Sequence, residues 1–302
     1  MDIALFGLGK MGMQIGKRLK HQGFEVLAWN RSQGSRDEFV KCGGKAFASL
    51  DELVKQITTE PRIFWLMLPH EVVEDFIFNP VLLGGILKSG DIVIDGGNSF
   101  YKDSIRRAKA LTAKNIGFFD CGVSGGIWGE KNGFALMVGG QKDKWNLVEP
   151  VFQALSSGEN YGLLGNYGAG HFVKMVHNGI EYGMMEAIAE GYGIMHASQL
   201  GLDLKNITRI FKQGTVIRSW LIDLVENIFE HEDIEKTKGE IAMNGEGEWT
   251  VEAGKELGVD VRVLADAVAV RKESKNPTQQ DKFSNKIVAL LRKQFGGHGV
   301  KR

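Results

Sequence analysis

Residues 2–12 read DIALFGLGKMG, a short apolar segment that runs into glycines with the spacing GxGxxG. The apolar segment predicts a β-strand, and a helical pattern follows the glycines. In this context Gly7 forms a tight turn, Gly9 lets the backbone approach a pyrophosphate, and Gly12 allows the helix to pack closely on the strand. The N–H groups at the start of the helix would hold the phosphates. The stretch predicts a nucleotide-binding fold, with a plain glycine turn as the alternative.

Strand and helix patterns alternate through the first half of the chain. This alternation predicts an α/β fold with a Rossmann-type, doubly wound parallel sheet, whose ligands lie beyond the carboxyl ends of the strands. The predicted strands are residues 2–6, 25–29, 63–68, 92–95 and 117–120, with helices at 15–20, 50–57 and 104–113, and two further strands at 134–138 and 161–164 that extend or cap the sheet edge.

The loop after the second strand carries Asn30, Arg31 and Ser32. A site for NAD usually has an acidic residue here, which binds the ribose 2′-hydroxyl. Arg31 can instead stack on adenine and pair with a 2′-phosphate, which favours NADP over NAD. The alternative is a solvated surface arginine.

Three later loops each follow a predicted strand and carry polar side chains or glycines. They are Leu68-Pro69-His70, DGGNS at residues 95–99 and GVSGG at residues 122–126. A ligand could reach both the side chain and the backbone at Asn98 and Ser124, although both types are also ordinary turn residues. Because these loops follow successive strands of one sheet, a binding role is favoured over simple turns. His70 is expected to line the cofactor site.

The second half of the chain has almost only helical patterns. We therefore predict a nucleotide-binding domain over residues 1–165 and an all-helical domain over residues 166–302. The predicted helices are residues 171–199, 204–212, 219–229, 249–257, 261–272 and 282–294.

The first of these helices opens with HFVKMVHNGIEYG at residues 171–183. Lys174, His177, Asn178, Glu181 and Tyr182 recur at a spacing that normally places apolar residues against a core. Burial should lower the pKa of the lysine, which suits a base, and raise that of the glutamate, which suits an acid. Facing a nicotinamide, such a stripe could support hydride transfer from an alcohol. The alternative is a structural ion pair between Lys174 and Glu181.

Composition excludes several classes of partner. The 302 residues include 37 basic and 37 acidic side chains, so long-range electrostatics gives no reason to expect nucleic acid or a membrane surface. Cys42 and Cys121 lack metal-ligand spacing, which indicates thiols in a reducing compartment and no metal. The longest apolar run, residues 63–68, is far shorter than the roughly 20 residues of a membrane span. We expect a cytoplasmic protein.

The combination of GLGKMG, DGGNS, GVSGG and GHFVKMVHNGIEYG resembles the 6-phosphogluconate dehydrogenase family, in its short bacterial form, within the β-hydroxyacid dehydrogenase superfamily. The resemblance covers residues 3–298. It implies oxidative decarboxylation of 6-phosphogluconate to ribulose 5-phosphate, in the pentose phosphate pathway or gluconate utilisation. Lys174 would be the general base and Glu181 the general acid. The alternatives are another β-hydroxyacid dehydrogenase, such as 3-hydroxyisobutyrate dehydrogenase, and a non-catalytic NADP-binding sensor.

The resemblance also implies the remaining site residues. Arg292 and His298 would reach the active site of a partner subunit, in a homodimer that exchanges tails and could assemble into a tetramer. One departure is Glu248, which stands where the longer enzymes have a phosphate-binding lysine. Cofactor positions would be Gly7, Leu8, Gly9, Lys10, Met11, Gly12, Asn30, Arg31, Ser32, Leu68, Pro69, His70 and Asn98; substrate positions would be Asn98, Ser124, Gly125, Gly126, His177 and Asn178, with Tyr182 and Arg271 on the phosphate.

Overall fold

A computed structural model describes residues 1–243 and 245–302, which form two compact units, Met1–Lys174 and Met175–Arg302. Within these described ranges, no helix combines the length and the apolar character that crossing a membrane would need.

The first unit is built on one eight-stranded sheet with the strand order β3-β2-β1-β4-β5-β6-β7-β8. All neighbouring pairs are parallel except β6 and β7, which are antiparallel. The Rossmann-type fold is confirmed, and the antiparallel pair begins the part of the sheet where β7 and β8 extend its edge. The strands are β1 (Asp2–Phe6), β2 (Glu25–Trp29), β3 (Lys45–Phe47), β4 (Ile63–Leu66), β5 (Ile92–Asp95), β6 (Gly117–Ser124), β7 (Ala135–Gly140) and β8 (Tyr161–Gly165).

The sheet is buried on both faces. Ile3 and Leu5 of β1 belong to one apolar cluster, and Ala4 and Phe6 belong to another. Since neighbouring side chains of a strand point to opposite faces, β1 has a core on each side, as a central parallel strand should. The helices of this unit are α1 (Lys10–His21), α2 (Gln33–Lys41), α3 (Leu50–Lys55), α4 (His70–Phe78), α5 (Tyr101–Thr112), α6 (Gly129–Asn132) and α7 (Trp145–Leu155).

The second unit is helical. Its core includes Met185, Tyr192, Ile222 and Ile287, which are buried in one apolar cluster. The long helix α8 (Ala169–Ala197) begins in the first unit and continues in the second. The other helices are α9 (Leu204–Phe211), α10 (Trp220–His231), α11 (Glu246–Glu256), α12 (Arg262–Glu273) and α13 (Phe283–Gly296).

Candidate active site

The glycine loop after β1 has the shape that a pyrophosphate needs. Gly7 has a φ of 100°, which an L side chain rarely adopts. A Cβ on Gly12 would overlap the carbonyl oxygen of Gly7, whereas a Cβ on Gly9 would meet no atom within 4 Å. Gly9 is the N-cap of α1, so its backbone is open to a phosphate at the positive end of the helix. The loop therefore fits a dinucleotide. Of its neighbours, Leu8 is buried, Met11 half-buried and Lys10 exposed.

Hydrogen bonds tie the loop after β2 to the glycine loop. Asn30 Oδ1 accepts from the backbone N–H of Leu8 at 3.0 Å, and Asn30 Nδ2 donates to Ser32 Oγ at 2.9 Å. Arg36 donates to the backbone oxygens of Asn30 at 2.7 Å and Arg31 at 3.0 Å. The Arg31 side chain is exposed beside this network. Arg36 was missed from sequence, although a second arginine five residues after Arg31 was a visible signal.

A buried ion pair organises the loops after β4 and β5. Arg107 Nη1 of α5 lies 3.1 Å from Asp95 Oδ2, and both side chains are almost fully buried. Asp95 also accepts from Ser99 Oγ at 2.8 Å and from the N–H of Gly97 at 3.2 Å, so it holds both sides of the exposed Asn98. Arg107 further bonds Glu74 at 2.9 Å and the carbonyl of His70 at 3.5 Å.

These contacts bring the loops after β4 and β5 side by side. A Cβ on Gly97 would lie 2.5 Å from the carbonyl oxygen of Leu68, so the two loops touch at that glycine. Pro69 is the N-cap of α4, and His70 is its first residue, about a third exposed. Sequence reasoning missed Arg107. An arginine on the stripe of α5 that also carries the buried Ser104, Ala108 and Leu111 could have revealed it.

The start of α8 is fixed by Asp120 of β6. The Asp120 carboxylate accepts from the backbone N–H groups of Gly168 at 2.6 Å and His171 at 2.8 Å. His171 Nδ1 also shares a hydrogen bond of 2.7 Å with Ser104 Oγ. Burial raises the pKa of Asp120, while the nearby His171 lowers it. An acidic group at the N-terminus of a helix is favourable, and this one anchors the turn that precedes Lys174.

Lys174 lies directly over Gly122 of β6. A Cβ on Gly122 would overlap the Cβ of Lys174 and approach the carbonyl oxygen of Gly170 at 3.0 Å. Lys174 is 8% exposed. Because alternate residues of a strand share a face, Ser124 lies on the same face of β6 as Gly122. The structure therefore brings Lys174 and Ser124 to one side of the sheet. The expectation that residues 122–124 form a loop is wrong, since β6 continues through Ser124.

Gly125 and Gly126 follow β6 at a turn that side chains would strain. Their φ angles are 134° and 53°. Both angles lie in the region that favours glycine, and both residues are half-buried. The turn stays a predicted substrate contact.

In the second unit, α8 carries the predicted site residues His177, Asn178, Glu181 and Tyr182. Asn178 is buried and His177 half-buried, and His177 Nδ1 lies 2.9 Å from Asn178 Oδ1. Thr250 of α11 donates to the carbonyl of Met175 at 2.7 Å, and a Cβ on Gly179 would lie 2.5 Å from the Thr250 side chain. The close packing of α11 therefore fixes this part of α8.

Arg271 and Tyr182 form a buried cationic cluster in the second unit. Arg271 is fully buried, and its guanidinium carbon lies 3.2 Å from the centroid of the Tyr182 ring. Burial lowers the pKa of Arg271 to about 10. Among the described residues, Arg271 Nε and Nη1 have no hydrogen-bond partner. Burying a cation with unused hydrogen-bond donors costs free energy unless a ligand accepts those bonds. The cluster therefore suits an anion.

The C-terminal tail contacts its own unit. Arg292 is 6% exposed, donates to the carbonyl of Ala242, and lies with Nη2 3.4 Å from His298 Nε2. Burial lowers the pKa of Arg292, and the nearby Tyr182 and Glu181 oppose that shift. The second unit thus gathers Arg292 near Tyr182 and the half-buried Glu181.

Glu248 turns away from this cluster. Its carboxylate lies 2.6 Å from Lys272 Nζ, and both side chains are about half exposed. The preceding residue, Gly247, packs on the other side, where a Cβ would lie 2.5 Å from the Tyr182 ring. The Glu248 carboxylate therefore pairs with Lys272 at the surface.

No group of three or more His, Cys, Asp or Glu side chains that could hold a metal ion occurs in the part of the chain that the structure describes.

Comparisons with known proteins agree with this geometry. The family model for the NAD binding domain of 6-phosphogluconate dehydrogenase matches residues 2–168, and that for the C-terminal domain of 6-phosphogluconate dehydrogenase matches residues 170–298. A Bacillus subtilis protein, YqeC, named as a candidate 6-phosphogluconate dehydrogenase, is 39% identical over 100% of both chains. The NAD(+)-dependent, decarboxylating 6-phosphogluconate dehydrogenase of Haloferax volcanii is 36% identical over 100% of this chain and 99% of its own.

Solved structures show the same family similarity. The chain is similar to Plasmodium falciparum 6-phosphogluconate dehydrogenase, with a TM-score of 0.83 and 29% identity, over 91% of this chain and 62% of that one. A 3-hydroxyisobutyrate dehydrogenase from Salmonella typhimurium has a TM-score of 0.75 and 19% identity, over 95% of this chain and 99% of that one. The second similarity shows the fold alone.

Proposed function

Because the chain belongs to the 6-phosphogluconate dehydrogenase family, we propose that it catalyses the oxidative decarboxylation of 6-phospho-D-gluconate to D-ribulose 5-phosphate and carbon dioxide. The observation that carries the proposal is the buried Arg271 on the Tyr182 ring, with two guanidinium nitrogens that have no hydrogen-bond partner among the described residues. A sugar phosphate needs such a group, whereas 3-hydroxyisobutyrate has no phosphate.

Lys174 is the proposed general base and Glu181 the proposed acid. Lys174 takes the proton of the substrate 3-hydroxyl. The glycine loop of Gly7, Gly9 and Gly12 would hold a nicotinamide cofactor, which would supply the acceptor for the hydride from C3. The resulting β-keto acid loses its carboxylate as carbon dioxide, while the ammonium of Lys174 stabilises the negative charge on the C3 oxygen. Glu181 then helps to protonate C1 of the enediol. Asn98, Ser124, His177 and Asn178 are proposed to hold the substrate oxygens.

NADP is the proposed cofactor. Arg31 is exposed beside Asn30 and Ser32, and Arg36 adds a second guanidinium to the same loop. Two cations suit the 2′-phosphate, and the loop offers no carboxylate at residues 30–32 to bind a 2′-hydroxyl. NAD is the alternative, since the Haloferax relative is named as NAD(+)-dependent.

An assay with purified protein tests this function and cofactor. We expect turnover of 6-phosphogluconate with release of trapped carbon dioxide, and a higher kcat/KM with NADP than with NAD. Turnover of 3-hydroxyisobutyrate instead would favour the other dehydrogenase. Cofactor binding without turnover of either substrate would favour a sensor, and a preference for NAD would contradict the role given to Arg31.

We further propose a homodimer that exchanges tails, so that Arg292 and His298 serve the partner's site; a tetramer could be built from such dimers. The support is the family resemblance. The contacts of Arg292 with Ala242 and His298 fit the alternative, in which the tail serves its own chain.

If tails exchange, an equal mixture of Lys174→Met and Arg292→Ala chains, unfolded and refolded together, should recover about a quarter of wild-type activity. Half of the dimers would then contain one intact site of two. No recovery above the separate variants would show that each tail serves its own chain.

A further inference from the structure

Glu186 and Arg271 form a buried ion pair whose contact is longer than a hydrogen bond. Glu186 lies on α8, one turn after Tyr182, and its Oε1 is 3.7 Å from Arg271 Nε. That distance exceeds the usual 2.7–3.2 Å of a hydrogen bond. Among the described residues, Glu186 Oε1 and Arg271 Nε both lack hydrogen-bond partners. Both side chains are buried.

Charged groups around Glu186 act in opposite directions on its ionisation. Arg271 of α12 favours the carboxylate, and Glu190, one turn further along α8, opposes it. The positive charge of Arg292 on α13 helps burial to lower the pKa of Arg271. Burial, the largest effect, raises the pKa of Glu186 to about 7. The side chain therefore changes its charge in the neutral range.

We propose that Glu186 is a positioning residue for Arg271 that tunes the affinity of the cationic cluster for the substrate's phosphate. When Glu186 is protonated, the guanidinium keeps its full charge and its unused donors for the anion. When Glu186 is ionised, its carboxylate competes with the phosphate for the same guanidinium. The identity of the anion rests on the proposed function; the competition for Arg271 does not.

The sign of the pH dependence follows from this competition. Below about pH 7 Glu186 is neutral, and the cluster binds an anion at full strength. As the pH rises through about 7 the carboxylate forms, and anion binding weakens. Conversely, a bound phosphate favours the protonated form of Glu186. A residue that only filled space at this position would not produce such a dependence.

The test compares wild type with Glu186→Gln, which removes the charge and keeps the shape. It measures the KM for 6-phosphogluconate and the inhibition constant of sulfate, whose charge is constant, from about pH 6 to about pH 8. In wild type both constants should rise about tenfold more over this range than in Glu186→Gln. The titration of the sugar phosphate itself cancels in that ratio. Parallel curves for the two proteins would overturn the proposal.

Two further variants guard against a folding artefact. Glu190→Gln removes an exposed carboxylate that helps to raise the pKa of Glu186, so it should keep the pH dependence but move its midpoint to lower pH. Glu186→Asp retains a carboxylate and should also keep it, so loss of the dependence in Glu186→Asp would count against the proposal. If 6-phosphogluconate is not turned over, calorimetric titration of sulfate into wild type and Glu186→Gln still decides the inference, so its failure is distinct from that of the proposed function.

Discussion

Lys174→Met is expected to lower kcat with 6-phosphogluconate by about 10²- to 10⁴-fold, the usual contribution of a general acid–base group. Methionine keeps an unbranched side chain of similar length and removes the amine, so the packing over Gly122 should survive. The cofactor loop lies elsewhere in the first unit, and the dissociation constant of NADP, measured by fluorescence titration, should therefore change little. Stopped-flow measurement of NADPH formation gives the rate of the oxidation step itself.

Lys45→Met is the matched control for this experiment. Lys45 lies in the same unit, is about 60% exposed and pairs with Glu25 at 2.7 Å. An exposed pair of this kind contributes little to stability, so this variant should keep the wild-type rate. Turnover by Lys174→Met near the wild-type rate would remove Lys174 from the role of base. It would then favour a structural ion pair with Glu181.

The sequence predicted the fold because its decisive signals are local. The strand, turn and glycine spacing of residues 2–12 depend on short-range sterics, and the long helix depends on its own periodicity. The three-residue strand β3 was missed because Lys45–Phe47 is too short to show a pattern. The antiparallel pairing of β7 could not be predicted either, since strand direction depends on where the connecting α6 and the turn at Gly125 send the chain.

The residues that position the site were harder to predict, because each acts through a partner that is distant in sequence. Gly122 matters through Lys174, and Asp120 through the N–H groups of Gly168 and His171. Nothing within a few residues of Gly122 or Asp120 marks either role. Glu248 stands where the longer enzymes have a phosphate-binding lysine, and its orientation could not be predicted because it depends on an ion pair with Lys272 of the next helix. Reactive side chains can thus be suggested by motif, whereas their positioning depends on tertiary contacts.

Arg271→Ala is expected to raise the KM for 6-phosphogluconate by roughly 100-fold, with a smaller change in kcat. Two charge-assisted hydrogen bonds from Nε and Nη1 would be lost, each contributing about 1.5 kcal/mol or more. Every 1.4 kcal/mol corresponds to about tenfold in affinity. A phosphate far from the reacting carbon is held equally in the ground and transition states, so the loss should fall mainly on KM. Steady-state kinetics over a wide substrate range measures both constants.

Since Arg271 is fully buried, its removal also needs a folding control. Arg271→Lys keeps the positive charge without the planar fork, and should give a KM between those of wild type and Arg271→Ala. Arg262→Ala, on the same helix, removes an exposed arginine that pairs with Asp260 at 2.6 Å and should leave the KM unchanged. Circular dichroism melting curves show whether each variant is folded at the assay temperature. A folded Arg271→Ala protein with the wild-type KM would contradict the phosphate assignment, and the competition proposed for Glu186 would then show only with sulfate.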